Sequence, residues 1–204
     1  YVAELNEGIL GETDFDNRVT AHDYVYSIKK VIAEKLPGYE NYSYIRGARE
    51  YYNGEGDLDS ILVTALDDLT LEIILVEPHS EILSTLAESS GAPSSEKFAT
   101  LVEGVYGTTA ASVICNGPYY IAESNKGKSL VLKRNPKYKG RTKANNAQIN
   151  LNLQKKQKNI VEKYASNSFD VLLTDSANRI ENPNGKITPV TNTVWGIVSN
   201  CSKE

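Results

Sequence analysis

Asn116-Gly117-Pro118-Tyr119-Tyr120-Ile121, followed after a short basic turn by Leu130-Val131-Leu132-Lys133-Arg134-Asn135-Pro136-Lys137-Tyr138, is the stretch whose reading decides the fold. Glycine tolerates positive φ, proline sets the next φ, and asparagine bonds its own backbone, so Asn116-Gly117-Pro118 predicts a turn. Residues 118–122 and 129–134 are rich in Tyr, Ile, Val and Leu, and Asn125-Lys126-Gly127-Lys128 between them supplies hairpin chemistry. Asn135-Pro136 then stops the second strand. Taken physically, this is an ordinary β-hairpin.

Its wording is more specific than its shape. The NGPY turn and the VLKRNPKYKG strand end resemble the solute-binding proteins of peptide-type ABC transporters, the oligopeptide-binding family. Three further blocks occur in family order: Val19-Thr20-Ala21-His22-Asp23-Tyr24-Val25-Tyr26-Ser27, then Ile45–Gly54, then Val63–Ile73. Together they cover most of residues 1–140, and the likeness is weaker from 141 to 204. It implies an α/β (mixed α+β) chain that forms part of a class II periplasmic-binding-protein-like, two-lobed fold. Residues 1–116 would then be a β-rich side subdomain of the first lobe, and 117–204 a portion of its α/β core.

Composition sets the outer bounds. Two hundred and four residues, 40% hydrophobic and 24% charged, suit a globular protein with a sizeable core. The 22 basic residues against 26 acidic leave a net charge of −4, which argues against nucleic acid as a partner, because phosphate binding needs a concentrated basic face. No stretch approaches the roughly 18 apolar residues of a membrane span. The chain lacks methionine, so Tyr1 is not expected to be a native translation start, and an excised piece of something longer is expected rather than methionines in a modified form. Cys115 and Cys201 leave two readings open, one disulfide or two free thiols, and their spacing excludes a CxxC redox or zinc motif.

Residues 1–9 read as a strand and 11–17 as a loop whose Asp14 and Asp16 lack the glycine and distal glutamate of a calcium site. Thr20 with Asp23 three residues on predicts a capped helix, and Ala21, Tyr24, Val25, Ile28, Val31 and Ile32 form its apolar stripe before Pro37. His22 in its first turn reads as a surface histidine rather than a metal ligand. Residues 36–44 predict an aromatic loop, and a second helix is expected from about Tyr42 to Asn53, closed by Gly54. Strands near 61–66 and 69–76 flank Asp67-Asp68. A short helix follows over 81–87, and another is capped by Ser95, carries Phe98, Leu101, Val102 and Val105 on one face, and ends at Gly107. Past the hairpin, a strand at 148–153, a helix at 159–165 and a buried strand at 169–173 imply a right-handed βαβ crossover. Asn182-Pro183-Asn184-Gly185 is a turn, and 193–200 a closing strand.

Enzymes leave signatures, and the chain carries no GxSxG elbow, GxxxxGK[ST] loop, HExxH pair or glycine-rich dinucleotide turn. The chain is therefore read as a non-enzyme, with no catalytic residue, no metal site and no cofactor. The resemblance implies the solute-binding component of a bacterial ABC import system, a monomer that captures oligopeptide outside the membrane and delivers it to permease subunits. It further implies a location at the cell surface or in the periplasm, with a lipid anchor at an N-terminal segment outside this sequence. The second reading, from another class, is an interaction or adhesion module on the same scaffold. For ligand contacts the candidates are Trp195, Thr174, Asp175 and Tyr39. A competing reading stands beside three of them: Trp195 as a core residue of a closing strand, Asp175 as a helix cap, and Tyr39 as simply one of 13 tyrosines.

Overall fold

The computed structural model describes residues 18–153, 163, 164, 166 and 168–172. Compact packing divides the chain after Asn152. In the first unit, helix α1 (Ala21–Ala33) begins where the sequence expects it. The carboxylate of Asp23 accepts hydrogen bonds from the Thr20 N–H (2.7 Å) and hydroxyl (3.2 Å), satisfying a donor that the helix start leaves unpaired. Ala21, Ile28, Val31 and Ile32 are buried, while Tyr24 and Val25 are half-buried. Each fully buried isoleucine is worth about 1.5–3 kcal/mol of transfer free energy.

The stripe of α1 packs on Tyr42, Ile45, Ala48, Ile61 and Val63, which complete the main core. Strands β1 (Val63–Asp67) and β2 (Thr70–Ile73) form an antiparallel hairpin over α1, and the Ala21 N–H bonds the Asp68 carbonyl in its turn at 2.8 Å. Asp67 shapes that turn by accepting from the Leu69 N–H and the Thr70 hydroxyl at 2.8 and 2.9 Å. These bonds, the Leu69 N–H foremost, hold its carboxyl below the usual range.

The second helix is shorter than the sequence suggests. Residues 39–42 form a 3₁₀ turn in the predicted loop, and α2 covers only Ala48–Asn53. The intervening Tyr44–Arg46 spends its backbone on sheet-like pairing. The Arg46 N–H donates to Ile74 O, the Val76 N–H to Tyr44 O and the Leu62 N–H to Arg46 O, all at 2.9–3.0 Å. Ile45 thereby bridges Leu75 as an added rung. Gly47, at φ +88°, turns the chain from this rung into α2, and Gly54, at φ +76°, closes the helix.

Helix α3 (Ile82–Ala87) matches expectation, and Ser95 caps α4 (Glu96–Leu101) by accepting from the Phe98 N–H at 3.3 Å. The α4 expectation fails at its far end, since the helix stops at Leu101 instead of Gly107. Bonds from the Val105 N–H to Val102 O and from the Thr108 N–H to Val105 O close successive turns there, so helical spacing no longer governs which side chains point inward. Phe98 and Val102 are buried, whereas Leu101 and Val105 are exposed.

Strands β3 (Tyr119–Asn125), β4 (Ser129–Arg134) and β5 (Gln148–Asn152) make a second antiparallel sheet in that order. The hairpin expected from Asn116 to Tyr138 is thus present, with a bulge between Ile121 and Glu123 that turns Ala122 into the interior. Asn135, itself buried, ends β4. Its backbone N–H bonds Pro118 O, its side-chain amide bonds Gly117 O, and its Oδ1 accepts from the Lys137 N–H, each at 2.9 Å. Cys115, just before the hairpin, is a half-buried free thiol.

In the second unit, the buried strand expected at 169–173 does not form over its described part. Residues 169–172 are irregular and Val171 is exposed. A strand is stable only with a neighbour to pair with, and the described residues supply none there. The strand at 1–9, the loop at 11–17, the turn at 182–185 and the closing strand at 193–200 lie outside the described residues.

Candidate functional site

Tyr39 is the one proposed ligand contact within the described residues; Trp195, Thr174 and Asp175 lie outside them. The 3₁₀ turn brings Tyr39 back onto α2. Its ring meets that of Tyr52 edge to face, with centroids 5.3 Å apart and planes at 81°, and the Tyr52 hydroxyl donates to the Tyr39 carbonyl at 2.7 Å. Tyr39 is half-buried against the core cluster, so one part of its ring packs and another reaches solvent. Tyr42, its neighbour in the same turn, is fully buried. Burial pushes the Tyr52 phenol up to about 12, so it remains a donor to Tyr39 throughout the physiological range.

A second aromatic group lies beside this one in sequence but is assembled by the tertiary structure. The added rung that joins Ile45 to Leu75 sets Tyr44 against His79, stacked with ring centroids 3.5 Å apart and planes 15° from parallel. The Arg49 guanidinium lies 6.0 Å from the centre of the Tyr44 ring. Tyr44 and His79 are half-buried and Arg49 is exposed. Flat rings with a cation nearby can hold an apolar or carboxylate-bearing group. The sequence reading missed this trio, because thirty-five positions separate Tyr44 from His79 and no local period links them; only the pairing of 44–46 with 74–76 could have signalled it.

An opening also lies beside α1. It is a cleft of about 550 Å³ walled by Tyr26, Lys30 and Glu34 on α1 and by Thr100, Glu103 and Tyr106 beyond it. Lys30 and Glu34 form an i,i+4 ion pair, and the ammonium sits 5.9 Å over the Tyr26 ring. The hydrogen bond to Glu34 raises the Lys30 pKa and keeps that group a cation. In a separate, smaller opening of about 240 Å³, Asp68 faces Arg18 and the exposed His22 at 3.8 and 3.9 Å. The cleft therefore offers aromatic walls and paired charges. It holds no arrangement of nucleophile, base and orienting group, and no three His, Cys, Asp or Glu side chains among the described residues are grouped to hold a metal ion. No helix among the described residues is long and apolar enough to cross a membrane.

Comparison with known proteins adds the following. The family model described as bacterial extracellular solute-binding proteins, family 5 Middle, matches residues 16–204. The chain is 31% identical over 128 residues to the periplasmic oligopeptide-binding protein OppA of Escherichia coli, an overlap of 59% of this chain and 23% of that protein. It is similar to the substrate-binding domain of an oligopeptide ABC transporter from Bacillus anthracis, with a TM-score of 0.68 and 28% identity, covering 74% of this chain and 30% of that one. Listeria monocytogenes OppA bound to peptide is similar at a TM-score of 0.67 and 26% identity, covering 74% and 30%. The chain thus spans less than a third of the length of these relatives.

Proposed function

The chain belongs to the bacterial extracellular solute-binding proteins of family 5, and from that premise we propose that it is part of the solute-capturing component of an ABC importer, taking oligopeptide outside the membrane and delivering it to the permease subunits. The observation that carries this reading is the family match over residues 16–204, supported by likeness to a relative solved with peptide bound. Such a protein needs surfaces that pair with an extended backbone and roomy pockets that tolerate varied side chains. No residue in it performs chemistry.

In this reading residues 1–116 form a side subdomain of the first lobe and 117–204 part of its α/β core. A second lobe completes the ligand cleft, which closes by hinge motion because ligand favours the closed state. Trp195, Thr174, Asp175 and the open part of the Tyr39 ring contribute contacts from the first lobe. The assembled receptor works as a monomer at the cell surface or in the periplasm, held to the membrane by an N-terminal anchor.

The test is a titration with a pool of short peptides, applied to this chain and to a receptor of the relatives' full length that contains it. Trp195 fluorescence and thermal stability are followed together. A ligand-dependent shift in the full receptor, much weaker in the chain alone, supports the reading. The absence of any shift in the full receptor overturns peptide as the ligand and favours another solute or a non-transport interaction module.

A further inference from the structure

Three Asn-Gly pairs occur in the sequence, at 53–54, 116–117 and 184–185, and the first two lie among the described residues. We propose that Asn116 is a site of spontaneous modification, converting to aspartate and isoaspartate through a cyclic imide, while Asn53 is protected by its helix.

In this chemistry the backbone nitrogen of the following residue attacks the asparagine Cγ. The new C–N bond closes a succinimide, the side-chain nitrogen leaves as ammonia, and the backbone N–H proton passes to solvent base. Water then opens the imide. Breaking the bond between Cγ and the Gly117 nitrogen leaves aspartate in a normal backbone. Breaking the bond between the Asn116 carbonyl carbon and that nitrogen leaves isoaspartate, with the chain rerouted through Cγ. No oxidant or second reactant besides water is required.

The two sites differ in what they allow. Asn116 is exposed, and no hydrogen bond among the described residues uses the Gly117 N–H. A Cβ placed on Gly117 would meet only Tyr119 O, at 3.9 Å, so the side of Gly117 where a side chain would stand is open. The nearest restraint, the bond from the Asn135 side chain to Gly117 O, acts one peptide plane further on. The permissive φ and ψ of glycine separate that plane from the attacking nitrogen. At the other site, the Gly54 N–H donates into the last turn of α2, to Tyr51 O at 3.1 Å. Asn53 is the final residue of that helix, and bringing the Gly54 nitrogen onto its Cγ requires the capping turn to open first.

The experiment ages the intact folded chain at mildly alkaline pH beside the same chain unfolded in urea, and follows each asparagine by peptide mass spectrometry. The peptide bearing Asn116 is expected to gain one mass unit, and to split into aspartyl and isoaspartyl forms, at a similar rate in both samples. The peptide bearing Asn53 is expected to convert several-fold more slowly in the folded chain than in the unfolded one. Asn116→Gln, which must close a larger ring, should abolish the change at that peptide. Persistence of Asn116 in the folded chain while it converts in urea would overturn the proposal, as would conversion of Asn53 as fast as Asn116 in the folded chain.

Discussion

The side-chain amide of Asn135, at the end of β4, donates to the main-chain oxygen of Gly117, just ahead of β3, at 2.9 Å. The same residue's backbone N–H bonds Pro118 O, and its Oδ1 accepts from the Lys137 N–H. One buried side chain thus satisfies an acceptor in one segment and a donor in another, where a proline at each place removes a backbone donor. Asn135→Ala leaves both partners without their bond, and is expected to lower unfolding free energy by about 1–3 kcal/mol in urea titrations. An unchanged midpoint would show that water replaces the amide at no cost.

Gly47 and Gly54 share positive φ but not surroundings. A Cβ on Gly47 would lie 2.0 Å from Ser60 O, whereas one on Gly54 would meet nothing within 4 Å. Gly54→Ala is expected to cost about 1–2 kcal/mol, the price of a left-handed conformation alone. Gly47→Ala adds a collision with rigid backbone and should yield little folded protein, as read by circular dichroism and soluble expression. Equal effects of the two substitutions would refute the steric account.

Tyr42 is fully buried, yet among the described residues neither its hydroxyl nor the nearby Ser90 hydroxyl has a partner at good hydrogen-bond geometry. Burial raises the Tyr42 pKa, with the Ser90 hydroxyl a smaller opposing influence. Removing a buried hydroxyl that has no partner costs little, so Tyr42→Phe should change stability by less than about 1 kcal/mol or increase it. Tyr42→Ala should instead cost about 3–5 kcal/mol through the cavity it leaves. A large loss in the phenylalanine variant would mean that the hydroxyl is satisfied through ordered water.

Tyr52 links stability to alkaline pH. Its folded pKa is raised from 10.0 to about 12, chiefly by burial, so the neutral form favours the folded chain. This contribution is complete below pH 10 and is lost as pH rises from 10 towards 12, where the unfolded chain releases the proton and the folded chain does not. Urea midpoints measured across that window should fall more steeply for the native chain than for Tyr52→Phe. Parallel slopes would remove Tyr52 from the alkaline transition.

By itself the sequence determined the features whose causes are local. The Thr20–Asp23 cap, the apolar stripe of α1, the Asp67-Asp68 turn and the hairpin from Asn116 to Tyr138 each need only neighbours a few residues apart. The word-like blocks within those features also disclosed the family. Only the tertiary structure decided what depends on distant backbone. Tyr44–Arg46 left the expected helix because Leu62, Ile74 and Val76 offered it hydrogen bonds, and the same pairing stacked Tyr44 on His79. Leu101 and Val105 lost their inward face when α4 gave way to turns, and residues 169–172 stayed irregular where no described strand pairs with them. At the candidate site, the tyrosines between 36 and 44 were legible as a group, but not their separate fates. Tyr42 went to the core, Tyr39 onto Tyr52 and Tyr44 onto His79, because an aromatic side chain goes wherever the assembled surface leaves apolar area to cover.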